Sequence, residues 1–228
     1  MALSHARKEE IPKDAVIISE EQALAYQWSV ISGWENRWDV WSLRYGPGIL
    51  GAMAAATGIY VNNHYRRKLK LGNYGKASTY LPIVVIPAMF SVLSHKFMVQ
   101  RYVILGQNND CPLCLQLRAS TLQGGLGVCY PTLLAPFAAF MFATRHYTYR
   151  LPSVTKEPLE VFKLWQGMTR PILPILGAAL AGQAAVAMYM TYKEQMQNWR
   201  LHLKMQHLEQ LAEEKQQEEK ALEAAKNF

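Results

Sequence analysis

Two cysteines separated by two residues are the part of this sequence whose types and spacing could do chemistry. Cys111 and Cys114 form a CxxC motif, which is typical of a thiol redox pair or of one half of a zinc site. A redox pair usually lies at the amino end of a helix, where the helix dipole lowers the thiol pKa, and this pair precedes a predicted helix. A structural disulfide, plain thiols, thiol exchange and metal binding all stay open.

Other catalytic patterns are missing from the sequence. A complete zinc site would need two more ligands, and the chain offers only Cys129 and scattered histidines. The sequence has no Gly-rich phosphate loop, no HExxH motif and no grouping of Ser, His and Asp on predicted loops. We therefore predict that the protein is not an enzyme and expect no cofactor and no metal.

The regions that must position the CxxC motif are apolar. The 228 residues include 24 Lys and Arg against 17 Asp and Glu, and half of all residues are apolar. The net charge of +7 divides into −3 over residues 1–43, +11 over 44–192 and −1 over 193–228. Because the basic middle block is also apolar, we interpret the positive charge as membrane topology and expect no nucleic-acid partner.

Four apolar stretches in the middle block predict membrane-spanning helices. They are Tyr45–Val61, Tyr80–Leu93 with an extension to Leu105 if His95 and Lys96 are tolerated, Ala119–Ala143, and Ile172–Tyr192. A bilayer core needs about 20 helical residues, which the third and fourth stretches satisfy and the first two meet only marginally. Small residues spaced by four in the first and fourth stretches predict close helix contacts there, at Gly51, Gly58, Gly177 and Gly182 among others.

A tryptophan-rich segment precedes the first predicted span. Trp34, Trp38, Trp41 and Tyr45 are spaced by four, three and four residues, which would place the rings on one face of a helix. Aromatic rings of this kind favour the membrane interface, so we interpret Glu20 to Leu43 as an interfacial helix. A protein contact by the same face is the alternative.

The carboxyl end has the composition of a solvated helix. Residues 193–226 contain neither Pro nor Gly and are rich in Glu, Gln, Lys, Ala and Leu. An apolar seam lasts about two heptads, which is too short for a sustained coiled coil. We expect a helix that continues from the fourth span and lies against a partner.

The predicted fold class is all-α. It is a four-span transmembrane helical bundle with an N-terminal interfacial helix and a long polar C-terminal helix. We divide the chain into a polar N-terminal segment with the Trp-rich helix (1–43), the four-helix transmembrane domain (44–192) and the charged C-terminal helix (193–228).

Basic loops predict the orientation. The loops after spans one and three are basic and would share one side, facing the cytoplasm or a mitochondrial matrix. We predict contacts to an anionic lipid surface from Arg66, Arg67, Lys68 and Lys70, with an ordinary positive-side loop as the alternative.

Two further expectations concern transport and targeting. Intramembrane charge marks ion or substrate paths, and only His95, Lys96 and Arg101 qualify, so small-solute transport is weakly supported. Residues Met1–Lys13 mix acids with bases, which a transit peptide avoids, and we expect no cleavable targeting segment there.

The order of these features resembles the eukaryotic transmembrane protein 126 family over about Trp41 to Trp199. The stretches that carry the resemblance are Tyr65–Arg67, Asp110–Cys114 with Arg118, Tyr130 and Pro131, Arg145 with Tyr147, Leu151 and Pro152, Trp165, and Pro171–Pro174. The Trp-rich entry and the long charged tail depart from the family pattern.

This resemblance implies a non-catalytic, multi-pass protein of the mitochondrial inner membrane. Members of the family are tied to biogenesis of respiratory complex I, so the implied partners are membrane-arm subunits or assembly intermediates, with anionic lipid such as cardiolipin. An assembly factor is the expected role and a permanent accessory subunit the alternative. A thiol-redox or small-solute transport protein is the third hypothesis.

Overall fold

A computed structural model describes residues 18–106, 111–152 and 157–226. The helices in these residues are α1 (Glu20–Gly33), α2 (Trp41–Lys68), α3 (Lys76–Leu105), α4 (Pro112–His146), α5 (Pro158–Thr169) and α6 (Leu173–Lys226). Short 3-10 turns lie at Arg37–Asp39 and at Arg170–Ile172, where α5 joins α6. The described residues contain no strand, so the predicted all-α class is confirmed. The targeting expectation for Met1–Lys13 falls outside this description.

Helices α2, α3, α4 and α6 pack as an antiparallel bundle. Helix α2 begins at one end of the bundle, where α3 ends and α4 begins, and we call this the Trp41 end. The opposite end is the Lys68 end. Helix α6 starts at the Lys68 end, since Tyr65 and Thr169 join there through their hydroxyl groups at 2.7 Å. The loops after α2 and α4 therefore share the Lys68 end, as their basic character predicted. Which membrane side this end faces stays a prediction.

Among the residues described, three helical segments are long and apolar enough to cross a membrane, judged by length and composition alone. They are Lys76–Leu105, Pro112–His146 and Pro158–Lys220, the last of which joins α5 and most of α6. Only 22% to 44% of the most apolar window of each is buried inside the protein, so most of this apolar surface faces outward. Helix α2 contains the predicted first span but is not among the three. Its 28 residues would extend about 42 Å, yet its middle is built largely from Gly and Ala.

The small residues of α2 explain its close packing against α3. A Cβ atom on Gly58 would lie 2.6 Å from the carbonyl oxygen of Ile83, and one on Gly51 would lie 2.5 Å from a side-chain carbon of α3. The predicted close contact of the first span is therefore confirmed. The matching prediction for α6 is wrong within this chain, because a Cβ on Gly177 or Gly182 would meet nothing within 4 Å.

The predicted single helix from Glu20 to Leu43 is wrong. Helix α1 ends at Gly33, and the chain turns before α2 begins. Glycine weakens a helix interior, and the Asn36 side chain accepts a hydrogen bond from the Trp38 amide at 3.2 Å, which starts a separate 3-10 turn. The interfacial segment is thus two elements rather than one.

Helix α1 is held against the start of α2. The Arg44 guanidinium donates to the carbonyl oxygen of Ile31 at 2.6 Å and also to that of Ser32. These carbonyls belong to the last turn of α1, where a cation compensates the unpaired acceptors and the helix dipole. Ile31 also enters an apolar cluster with Leu43 and Leu50, so α1 packs onto the bundle.

The predicted C-terminal helix is confirmed, because α6 runs without a break to Lys226. Its packed part extends past the predicted boundary at Tyr192, since Glu194 and Leu201 are buried. Farther on the helix projects from the Trp41 end, and Leu208 is 57% exposed. The expected contact of this projection with a partner stays a prediction.

Candidate functional site

Three groups of polar side chains in the described part of the bundle interior lie in order along α2. We call them the Glu194 cluster, the Gln123 cluster and the Arg66 cluster, in order from the Trp41 end to the Lys68 end. Polar groups buried in an apolar bundle are costly unless they are hydrogen-bonded, so their partners define the helix packing.

The Glu194 cluster joins three helices. The Glu194 side chain is fully buried in α6, and the His95 Nε2 atom of α3 lies 3.0 Å from its Oε2 atom. Gln100, also fully buried, donates from Nε2 to Glu194 Oε1 at 2.7 Å and to the Leu43 carbonyl oxygen of α2 at 3.0 Å. A buried ionisable pair between apolar helices is a candidate functional site, because such groups are costly to bury.

A π-helical turn places both α3 partners on Glu194. Lys96–Gln100 forms this turn directly after His95. Residues five apart lie about 140° apart around a regular α-helix, so His95 and Gln100 would point to different sides. A π-turn has i to i+5 hydrogen bonds and more residues per turn, so side chains five residues apart point to nearly the same side. Such turns are frequent at functional sites.

A glycine on α2 makes room for the carboxyl group. A Cβ atom on Gly46 would lie 2.7 Å from Glu194 Oε1, whereas a Cβ on Gly48 would meet nothing within 4 Å. One turn earlier on α2, Ser42 donates two hydrogen bonds to Gln197 Oε1, from its Oγ atom at 2.6 Å and from its backbone amide at 3.1 Å. The start of α2 is therefore fitted to one face of α6.

The Gln123 cluster links all four bundle helices through side-chain hydrogen bonds. Gln123 of α4 donates from Nε2 to Gln183 Oε1 of α6 at 2.8 Å and accepts from Ser91 Oγ of α3 at 2.6 Å. Gln183 in turn donates to Thr57 Oγ1 of α2 at 2.6 Å. This cluster was not predicted, although an isolated Gln in each of two apolar spans was the available signal.

The Arg66 cluster changes the prediction of lipid contacts. The Arg66 side chain is 5% exposed and donates to Thr79 Oγ1 at 3.0 Å and to the carbonyl oxygens of Gly72 and Tyr74 at 2.7 and 2.9 Å. It therefore points into the protein and holds the loop after α2, so the Arg66 guanidinium group is not available to a lipid. The other three cations are exposed, and lipid contact by them stays a prediction: Arg67, Lys68, Lys70.

The four predicted interfacial rings do not share one helical face. Trp34 follows the end of α1 and is half-buried, with its indole N–H 3.4 Å from Asp39 Oδ2. Trp38 lies in the 3-10 turn and is 81% exposed, while Trp41 and Tyr45 lie on α2. All four lie near the Trp41 end, so an interfacial role there stays a prediction.

Two of the three residues singled out for transport lie on the outside. Lys96 is placed 4.9 Å from the centre of the Trp28 ring, and Arg101 pairs with Glu20 at 3.0 Å. Both contacts fix α1 to the end of α3. His95 alone enters the bundle, where it contacts Glu194 rather than a channel lining.

The CxxC motif lies at the amino end of α4. Cys111 is the N-cap residue and both Cys111 and Cys114 are exposed, with no disulfide between them in the described structure. The pKa of Cys111 is lowered, first by the hydrogen bond from the Cys114 thiol and then by the backbone amides of Cys114 and Leu113. The predicted position at a helix terminus is confirmed, and the redox state stays a prediction.

These features define a class: a helical membrane protein whose helices are joined by buried polar side chains. Residues 36–209 match the family described as Transmembrane protein 126. The chain belongs to this family, and the resemblance seen in the sequence is confirmed.

Relatives extend the match to nearly the whole chain. Transmembrane protein 126 of Drosophila melanogaster is 55% identical over 214 residues, which cover 94% of this chain and 96% of that protein. Transmembrane protein 126A of Rattus norvegicus is 30% identical over 65% of this chain and 72% of its own length. The mouse protein named "Complex I assembly factor TMEM126B, mitochondrial" is 25% identical over 60% of this chain and 59% of its own length. No solved structure matches this chain.

Proposed function

We propose that this chain is a non-enzymatic protein of the mitochondrial inner membrane that acts in assembly of the membrane arm of respiratory complex I. The observation that carries the proposal is the family relationship to a mouse protein named as a mitochondrial complex I assembly factor. A scaffold in a membrane needs outward-facing helix surface, and the apolar windows of α3, α4 and α6 are largely unburied in this chain.

Complexome profiling of mitochondrial membranes tests this proposal. We expect the chain to comigrate with incomplete membrane-arm intermediates and to be absent from the mature enzyme. Depletion of the chain should reduce fully assembled complex I, and re-expression of the wild-type chain should restore it. Migration only as a free small protein would contradict the proposal, and stoichiometric presence in purified complex I would favour a permanent accessory subunit instead.

A rescue experiment separates scaffolding from thiol chemistry. The Cys111→Ser, Cys114→Ser double variant should restore complex I assembly as well as the wild-type chain does, because scaffolding needs surface rather than thiols. Cys129→Ser, on the same helix, is the matched control. Failure of the double variant alone, at normal abundance, would assign the assembly role to the thiols.

The exposed cations at the Lys68 end support a second part of the proposal. Arg67, Lys68 and Lys70 are exposed there, and each cation near an anionic lipid surface contributes about 1 kcal/mol. Native mass spectrometry in micelles with added cardiolipin should show fewer bound lipids when all three are changed to Gln. The double variant Lys215→Gln, Lys220→Gln on the projecting helix should bind as many as wild type, and equal losses in both would contradict the lipid site.

A further inference from the structure

The amino end of α4 is built as a small reactive-thiol site. Pro112 occupies the first helical position, where its fixed φ suits a helix start and its missing amide costs nothing. The first amides of the helix with a hydrogen to donate are therefore those of Leu113 and Cys114, and these are the amides that stabilise the Cys111 thiolate. On the other side, Gln195 donates to the Pro112 carbonyl oxygen at 3.1 Å and fixes this terminus to α6.

The two cysteines line a shallow recess on the protein surface. A volume of about 120 Å³ is lined by Tyr102, Cys111, Cys114, Leu115 and Arg118. The Arg118 guanidinium lies 5.0 Å from the centre of the Tyr102 ring and donates to the Met98 carbonyl oxygen at 3.2 Å, so one wall is held in place and carries a positive charge.

Helix geometry puts the reactive groups on one side. Positions 111, 114 and 118 share a helix face, while Leu115 and Ala119 are buried and attach α4 to the bundle. Both thiols remain exposed on this face. Within the described residues no group of three His, Cys, Asp or Glu residues could hold a metal ion.

We propose that Cys111 and Cys114 form a thiol–disulfide exchange site that takes an anionic disulfide, such as glutathione disulfide or an acidic protein disulfide. The Cys111 thiolate attacks one sulfur of the incoming disulfide, forms a mixed disulfide and releases the other half as a thiolate. Cys114 then loses its proton, attacks the Cys111 sulfur and releases the second half. Two thiols are oxidised to one intramolecular disulfide, the incoming disulfide is reduced to two thiols, and the two protons pass to the released thiolates.

A glutathione titration of the full chain in detergent micelles tests the site. After equilibration with mixtures of reduced and oxidised glutathione, acid quenching and alkylation, mass spectrometry should show that the peptide with both cysteines loses two hydrogens. Cys129 should remain alkylatable throughout. In the reduced chain at pH 7, Cys111 should react with iodoacetamide several-fold faster than Cys129.

Single variants separate attack from resolution. Cys114→Ser should accumulate a glutathione adduct on Cys111, because the resolving thiol is missing, whereas Cys111→Ser should bring exchange down to the rate of Cys129. Cys129→Ser should behave as wild type. The proposal is overturned if both thiols stay alkylatable in oxidised glutathione, if the wild-type chain stops at a stable adduct, or if Cys111 and Cys129 react at equal rates.

Discussion

Glu194 is buried at one end of the bundle and Arg66 at the other, and their hydrogen-bond partners differ. At the Trp41 end, Glu194 meets an imidazole and an amide from α3, and the contact to His95 joins residues 99 positions apart. At the Lys68 end, Arg66 meets a hydroxyl and two backbone carbonyls that lie within 13 positions of it. The first arrangement holds distant helices together, whereas the second shapes a local loop.

This difference predicts where the fold is most sensitive. Removing one partner of a buried hydrogen-bonded pair of ionisable side chains leaves the other partner buried without it, and the loss spreads to every helix that the pair joins. Removing a cation from neutral acceptors disturbs only the segment that carries those acceptors. Substitutions at the two ends should therefore differ in size and in extent.

Glu194→Ala should have the largest effect. It removes the acceptor of His95 and Gln100 and leaves both donors buried, which should lower the free energy of unfolding by about 3 to 5 kcal/mol. Denaturant titration of the chain in micelles measures this loss.

A matched substitution on the same helix controls for the loss of an acid. Glu213 is exposed on the projecting part of α6, so Glu213→Ala should change the free energy of unfolding by less than about 0.5 kcal/mol. Similar losses for the two variants would show that the Glu194 cluster does not hold the bundle.

Arg66→Gln should come second. It removes a charged donor from three acceptors, which should lower the free energy of unfolding by roughly 1.5 to 3 kcal/mol. Hydrogen exchange should rise at residues 69–75 and stay unchanged at the Trp41 end. Arg67→Gln, at the exposed neighbouring position, is the control variant. Increased hydrogen exchange throughout the bundle in Arg66→Gln would contradict a local role for Arg66.

Gly46→Ala should follow, and it probes the Trp41 end without replacing an ionisable side chain. The new Cβ would lie 2.7 Å from Glu194 Oε1, so the buried carboxyl group must move away from its partners or the two helices must separate, at a cost of about 1 to 3 kcal/mol. Gly48→Ala places the same methyl group where nothing lies within 4 Å. Thermal unfolding in micelles should separate the two variants, and equal midpoints would contradict the close fit.

The contrast between the ends also shows what the sequence could predict. Long charge-free runs located α3, α4 and α6, and clustered cations put the loops after α2 and α4 at one end. The Glu194 cluster escaped prediction because Glu194 follows Lys193 and was assigned to the solvated tail. Its partners lie about a hundred residues away, and Gln100 reaches it only through a π-turn, which a 3.6-residue periodicity does not reveal.

The broken amino-terminal helix has a similar cause. The four aromatic rings fit one helical face only if the helix is continuous, and spacing alone does not show a break. Gly33 and Asn36 were the local signals, since glycine weakens a helix and an asparagine side chain can start a new turn. Arg44 then fixes the fold-back, a contact that depends on the tertiary arrangement.

A smaller effect is expected at the surface of the Trp41 end, where Asp39 pairs with Lys204 at 2.5 Å. The hydrogen bond from Lys204 lowers the pKa of Asp39 below its usual value. A carboxyl group with a lowered folded-state pKa stabilises fully above its unfolded pKa of about 3.9, and this contribution is lost as the pH falls through the folded pKa. Asp39→Asn should therefore lower the free energy of unfolding at pH 7, but by no more than about 1 kcal/mol because the pair is partly exposed.

A variant of a surface ion pair at the Lys68 end serves as the comparison, because that pair lies within one helix whereas Asp39 and Lys204 join two separate segments. Glu160 pairs with Lys163 three residues away on α5, so Glu160→Gln should cost only a few tenths of a kcal/mol. The deficit of Asp39→Asn should shrink as denaturant titrations are repeated at decreasing pH, because the wild-type carboxylate is then protonated as well. A deficit independent of pH would show that it does not come from the charge of Asp39, and would contradict a stabilising ion pair with α6.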